Sequence, residues 1–288
     1  MRLRSLLVSL VCLCSLARPT CAQNPDWTTP EKPFKIVGNL FYVGSKDLAA
    51  YLVATPQGLI LINSNLASSA PQIRRSVELL GFRFSDIKIL LNSQAHNDHV
   101  ASTAEIKKLT GATIMVMAPD VPVVESGGKK DYLFANDPSM HFPPFKVDRT
   151  LHDGERVSLG GTVLVAHLTA GHTKGCTTWT MQVTEDDKTY DVVILGGAGM
   201  NGGTKLIHNP EYPRIAQDFT ATFRTLKSLP CDIFLGAHGL YFDMQAKIAN
   251  MGEGKPNPFI DPAGYKAYVE DREKAYLAEL AKQSQAKS

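Results

Sequence analysis

Four side chains able to bind a metal fall within the six residues Gln94-Ala95-His96-Asn97-Asp98-His99. Imidazole nitrogen and carboxylate oxygen are the ordinary ligands of catalytic zinc, which keeps one coordination position for water. The competing explanation is a polar helix cap, with Asp98 accepting backbone N–H groups at the start of a following helix and His96 and His99 merely exposed. Two further histidines stand beside glycine, in Ala170-Gly171-His172-Thr173-Lys174-Gly175 and Gly236-Ala237-His238-Gly239. Glycine at such places serves a special turn or a close backbone approach. Either histidine alone reads as a surface or satisfied core residue. Three histidine-bearing strand ends converging on one rim would instead supply five nitrogen or carboxylate ligands and an amide. His141, His152, His167 and His208 lack this setting and read as structural or solvated.

The elements around these residues follow from periodicity. Phe34 to Val37, Phe41 to Gly44, Tyr51 to Ala54 and Leu59 to Ile62 read as short strands of an antiparallel meander, with a Pro56-Gln57-Gly58 turn. Ile73, Val77, Leu79 and Leu80 recur at roughly helical spacing. Ile87 to Leu91 re-enters the sheet and runs into the Gln94 to His99 loop, after which Ser102 to Leu109 reads as helix and Thr113 to Met117 as strand. The loop therefore sits at a strand-to-helix junction, where sites gather in α/β folds. Pro119 to Phe145, with Gly127-Gly128 and several prolines, reads as a long surface excursion over the site. A second half repeats the plan: strands at Val157 to Leu159, Thr162 to Leu168, Thr177 to Val183 and Tyr190 to Leu195, a helix over Ile215 to Leu229, strand Asp232 to Leu235, and a helix from about Pro262 to Lys282. Two β-rich halves, each with helices, predict two sheets packed face to face with helices outside. The Gly196 to Gly203 stretch lacks the Gly-Lys-Ser/Thr ending of a phosphate loop and reads as site-lining backbone.

With 288 residues, 44% hydrophobic and 20% charged, the chain is long enough to bury a substantial core. Arg2 and Arg4, the apolar run Leu6 to Leu16 and the small residues of Thr20-Cys21-Ala22 predict a cleaved signal peptide over residues 1–22. The run is too short to span a bilayer, and Arg18 and Pro19 close it. The expectation is a single domain over 23–288 in the periplasm, with no membrane partner after cleavage. Cleavage leaves 27 basic against 28 acidic residues, without a basic block, which gives no footprint for nucleic acid. Of the cysteines, only Cys176 and Cys231 would remain, too few for a disulfide framework. Both read as packed thiols.

The ligand loop, Gly171-His172-Thr173, Thr177-Thr178-Trp179 and the run Asp232 to His238 resemble the metallo-β-lactamase superfamily, and within it the subclass B3 β-lactamases. Thr204-Lys205-Leu206 to Asn209, Tyr212-Pro213 and Asp218 look like that subclass as well. The resemblance implies the α/β, four-layer αβ/βα sandwich of the metallo-β-lactamase fold. It also implies one or two Zn2+ ions: Gln94, His96 and His172 would hold one, and Asp98, His99 and His238 the other. Glyoxalase II and many lactonases carry a bridging aspartate in the second half, whereas Ile194-Leu195-Gly196-Gly197-Ala198-Gly199 offers no carboxylate. Subclasses B1 and B2 place a ligating cysteine in that region, and none is there. Gln94 departs from the commonest B3 pattern and matches a smaller, GOB-type branch. Its neutral amide oxygen is a weaker zinc donor than imidazole, or it does not coordinate at all. Met200 and Asn201 correspond to residues that face the metals and substrate in B3 enzymes. Zinc lowers the pKa of bound water from 15.7 to about 7, so the resemblance implies attack on the β-lactam amide without a serine nucleophile, Asp98 orienting the nucleophile as well as ligating. The rival functions are a lactonase or thioesterase of the same fold and a non-catalytic periplasmic metal-binding protein.

Overall fold

The computed structural model describes residues 24–285; the signal peptide expected at residues 1–22 lies outside them. Strands β1 (Phe34–Val37), β2 (Leu40–Tyr42), β3 (Tyr51–Thr55) and β4 (Gly58–Ile62) pair antiparallel in succession. Helix α1 (Ala70–Leu79) returns the chain to β5 (Ile87–Leu91), parallel to β4. The short helix α2 (Asn97–Val100) and α3 (Thr103–Thr110) lead to β6 (Thr113–Met117), parallel to β5. Helix α4 (Val121–Glu125) follows, and β7 (Arg149–Leu151) completes a seven-stranded sheet in the order β1-β2-β3-β4-β5-β6-β7.

The second sheet repeats this plan. Strands β8 (Arg156–Leu159), β9 (Thr162–Leu168), β10 (Thr177–Glu185) and β11 (Lys188–Leu195) form an antiparallel meander. Helix α5 (Ile215–Ser228) then carries the chain to β12 (Ile233–Gly236), which lies parallel to β11 in the order β12-β11-β10-β9-β8. Helices α6 (Met244–Asn250) and α7 (Pro262–Gln285) follow.

Alternation along the strands accounts for the layering. Tyr51, Val53, Ile60 and Ile62 join Trp179 and Met181 in the core between the sheets, while Leu52, Leu59 and Leu61 join Ile73, Val77 and Ile106 beneath the outer helices. Side chains alternate across a strand with period two, so a strand buried on both faces reads as the near-continuous apolar run seen here. On the opposite side Phe219 and Phe223 of α5 stack on Tyr276 of α7 at 5.3 and 5.6 Å between centroids. The result is the expected helix–sheet–sheet–helix sandwich. No described helix is long and apolar enough to cross a membrane.

Three local readings are corrected. Leu79 is 66% exposed and does not share the buried face of Ile73 and Val77, because two residues advance about 200° around a helix. Strand β7 goes unread in the sequence because Arg149 and Thr150 are exposed and only Leu151 is buried. The excursion over 119–145 is not all surface: Val123, Val124, Phe142 and Phe145 are buried in the outer core and anchor it.

Candidate metal centre

The ligand loop is set by the end of β5. Asn63, in the left-handed region at φ 65, accepts Ser93 N–H on its side-chain oxygen at 2.8 Å and donates its amide to Ala49 O at 3.2 Å. Asparagine tolerates this backbone better than most residues. Trp179 Nε1 donates to Asn92 O at 3.0 Å and Thr177 N to Ser93 O at 2.7 Å, which ties the exit of β5 to the second sheet. His96 is still extended (φ −92, ψ 155), and the next residues form the single helical turn of α2. This change of backbone sends His96 one way and Asp98 and His99 another.

Two histidine pairs result. The His96 ring meets His172 at 4.9 Å between centroids, and His99 meets His238 at 4.9 Å. Asp98 Oδ2 stands 3.2 Å from His99 Nε2 and 3.4 Å from His238 Nε2. One potential ligand atom from each of Asp98, His99 and His238 lies within 4.8 Å of the others. Neither α2 nor α3 has a side-chain cap hydrogen bond, so the capping explanation for Asp98 fails.

Three of these histidines have one nitrogen engaged from outside the cluster. His172 Nδ1 donates to Gly199 O at 2.7 Å, His238 Nδ1 faces Asp47 Oδ2 at 3.0 Å, and His96 Nε2 lies 3.5 Å from Asp131 Oδ2. Such outer contacts select the tautomer and aim the other nitrogen. Glycine makes room as its sequence context suggested. Gly171 sits at φ 132, where a Cβ would come within 2.7 Å of the Phe219 ring, and a Cβ on Gly197 would come within 3.1 Å of the His172 ring.

The electrostatics favour a cation. Among the described residues, Gln94 Oε1 and His99 Nδ1 are buried without a hydrogen-bond partner, while His99 Nε2 faces only Asp98 and His96 Nε2 has only the long contact to Asp131. Buried polar atoms are nearly always paired, and leaving one unpaired costs on the order of 1–3 kcal/mol. Burial pushes His99 down and His172 down to about 3, with His96 adding to the latter, so both imidazoles are neutral with free lone pairs. Burial opposes charge on Asp98, but His99 and His238 beside it outweigh that and hold its carboxyl well below the usual range. Burial likewise opposes charge on His238, yet Asp47 and Asp98 push it up to about 9. A positive charge, proton or metal, is stabilised between those carboxylates. The donor set therefore fits a metal ion.

The sequence reading missed the residues that brace this set. Asp120, fully buried, accepts Ala95 N at 3.1 Å, Thr173 Oγ1 at 2.7 Å and Gly175 N at 2.7 Å, joining the Gln94–His99 loop to the His172 loop. Its one signal is a lone acid in the otherwise apolar Met115 to Val124 run. From the excursion, Phe134 packs edge-on against His96 at 5.3 Å, and Tyr132 Oη donates to both Gly171 O and His172 O at 3.3 Å.

Met200 and Asn201 line a cleft against α7 with Ala275, Ala278, Glu279 and Lys282. His141, His167 and His152 find partners elsewhere, in Ala135 O, Thr180 Oγ1 and Glu155, and His208 is exposed. Cys176 and Cys231 are free, and burial pushes both thiols up, Cys231 to about 12. A groove of about 790 Å³ on the second sheet, lined by Arg156, Val165, His167 and Gln182, contains none of the clustered residues.

A two-sheet sandwich with histidines and a carboxylate gathered at strand ends defines a metal-site α/β protein. The chain matches the Metallo-beta-lactamase superfamily over residues 48–238 and belongs to that superfamily. It is similar to native FEZ-1 metallo-β-lactamase from Legionella gormanii at 52% identity and a TM-score of 0.88, over 89% of this chain and 98% of that one. The class B3 di-zinc metallo-β-lactamase LRA-12 from an Alaskan soil metagenome is 39% identical, with a TM-score of 0.84 over 90% of this chain and 98% of that one. The metallo-β-lactamase GOB-18 from Elizabethkingia meningoseptica is 36% identical, with a TM-score of 0.85 over 90% and 96%. Gln94 thus stands in a chain whose overall identity is higher to FEZ-1 than to GOB-18. A probable metallo-hydrolase of Burkholderia pseudomallei (strain 1710b) is 30% identical over 152 residues, and the match spans about half of that relative, 48%.

Proposed function

We propose that the protein hydrolyses the amide bond of β-lactams as a zinc enzyme of the B3 type. The observation that carries this reading is the set of buried, unpartnered polar atoms on Gln94 and His99, arranged with His96, Asp98, His172 and His238 in two adjoining clusters. Gln94, His96 and His172 would hold one zinc, and Asp98, His99 and His238 the other. Zinc bound there supplies an acidified water and a Lewis-acid contact for the carbonyl. Asp98, ionised between two imidazoles, orients the attacking water as well as ligating. Asp131, Gly199 O and Asp47 fix the rings of His96, His172 and His238. Phe134 and Tyr132 wall the His96 side against bulk solvent.

A chromogenic cephalosporin assay tests this reading. Purified protein is expected to open the ring, to stop when a chelator is added and to recover with added zinc. Hydrolysis indifferent to the chelator, or absent in zinc-replete protein, contradicts it.

Gln94→His should tighten zinc at the Gln94, His96 and His172 site, because imidazole is the better donor. The gain is expected to be about tenfold, in line with an interaction worth about 1.4 kcal/mol. Zinc titrated into metal-free protein, with bound metal and rate followed together, should give two separate affinities in the wild type that draw closer in the variant. Equal stepwise affinities in both proteins would refute the weaker-donor argument.

A further inference from the structure

Asp47 lies on the β2–β3 connection, away from the ligand loop, and only 4% of it is exposed. Its carboxylate is oriented independently of the histidine it faces. Leu240 N–H donates to Oδ1 at 3.0 Å, and Trp27 Nε1–H donates to Oδ2 at 3.0 Å. The backbone of Asp47 is clamped as well, its carbonyl accepting Gly239 N at 2.6 Å and its N–H donating to Asp26 O at 3.2 Å. Trp27 ends the short turn Pro25–Trp27, which the Asn24 side chain caps, and its ring tilts against the His238 imidazole at 5.8 Å. A bridge between Pro30 and Ser45, and Lys46 N donating to Thr29 O at 2.9 Å, fasten the same segment. An ionised carboxylate only accepts, so its 3.0 Å contact keeps a proton on Nδ1 of His238 and leaves Nε2, directed at Asp98, for the proton or metal ion held there. Within the Asp98, His99 and His238 group, His238 alone has a carboxylate on its outer nitrogen, since neither nitrogen of His99 completes a hydrogen bond.

We propose that Trp27 and Asp47 are positioning residues, a relay in which the indole N–H fixes the carboxylate and the carboxylate fixes His238, setting the zinc affinity of the Asp98, His99 and His238 site. The proposal rests on the reading of those residues as ligands. It makes residues 24–30, remote in sequence from every ligand, part of the metal centre. Trp27 acts only through Asp47.

Zinc is titrated into metal-free full-length protein against a chromophoric chelator, for the wild type, Asp47→Asn, Asp47→Ala, Trp27→Phe and the Trp27→Phe/Asp47→Ala pair. Loss of such an outer partner typically weakens metal binding about 10–100-fold, which is the expectation for Asp47→Ala. Trp27→Phe keeps an aromatic ring and removes the donor; a loss of about threefold is expected, of the order of one hydrogen bond. The paired variant should bind zinc no more weakly than Asp47→Ala, which is the non-additivity of a shared path. Cobalt in place of zinc should show altered d–d bands in Asp47→Asn, because the ring orientation changes. Should Asp47→Ala fail to fold, Trp27→Phe decides: wild-type affinity in that variant overturns the relay. Additive losses overturn it too, as does an Asp47→Asn protein with wild-type zinc affinity and an unchanged cobalt spectrum. A wild-type protein that binds zinc tightly while these variants match it defeats the relay alone. One that binds no zinc defeats the zinc-enzyme reading and the relay together.

Discussion

Replacing His99 or His238 by alanine is expected to bring β-lactam hydrolysis to background and to remove the zinc held beside Asp98. Each substitution takes one of two imidazoles from a cluster whose third member is a single carboxylate, leaving fewer protein ligands than a catalytic zinc normally has. His99 is fully buried, its Nδ1 has no partner and its Nε2 faces only Asp98 at 3.2 Å, so nothing outside the cluster depends on its ring nitrogens. Its loss should therefore register in metal content more than in the unfolding of metal-free protein. His238 differs, because its removal also leaves Asp47 and Asp98 facing each other without the group that lies 3.0 and 3.4 Å from them. Metal-free His238→Ala should be the less stable of the two. His141→Ala and His208→Ala serve as controls and should change the rate by less than about threefold, since substitutions away from such features rarely cost more than about 0.5 kcal/mol. Zinc content and initial rates for the four proteins check the assignment. Similar behaviour in all four would mean that the ligands lie elsewhere.

Asp120→Ala should disable both clusters without touching either. The substitution strands Ala95 N–H, the Thr173 hydroxyl and Gly175 N–H in a dry interior, where Asp120 now accepts all three. Hydrogen bonds to a charged group contribute roughly 1.5–3 kcal/mol each and unpaired buried donors cost about as much, so a loss of about 4 kcal/mol is expected for metal-free protein in urea. Asp120→Asn keeps the volume but offers one acceptor oxygen, and should lose about half as much by the same hydrogen-bond reckoning. The pH dependence adds an independent check. Burial pushes the Asp120 carboxyl up to about 6 against the opposition of its donors. A carboxyl whose folded value lies above its unfolded value contributes stability that is complete below the unfolded value and declines as pH rises through the folded one. The margin of wild type over Asp120→Asn should therefore narrow from pH 4 to pH 7. A margin that widened over that range, or an alanine variant as stable as wild type, would contradict this account of Asp120.

The legible part of the site was the set of candidate donors, and the reason is chemical density. Gln94, His96, Asp98 and His99 fall in one loop, and no helix cap or turn calls for that combination. His172 and His238 were legible through their glycines, one of which, Gly171, occupies a backbone region that a Cβ would force into Phe219. The long strands were legible for a similar reason. β5, β6 and β9 begin and end where their runs of apolar and β-branched residues do: β5 and β6 are buried on both faces apart from Lys88 and Thr113, while β9 buries only Leu164 and Ala166.

Asp47, Asp120 and Asp131 were not legible. Each is a single acid in its own stretch, and a single acid in a sequence is usually a solvated side chain. Only the tertiary structure brings Asp47 to His238 across 191 positions and Asp120 to Gly175 across 55. The pairing of histidines behind the division that the resemblance implied has its cause there too, for it depends on where extended backbone becomes helical, at His96, and on which distant histidine meets each arm of that bend. Residue types and local spacing determined which atoms could bind a metal. Which of them share an ion, and what holds each ring still, depends on contacts between segments far apart in the chain, because orienting a ligand takes a partner on the side facing away from the metal.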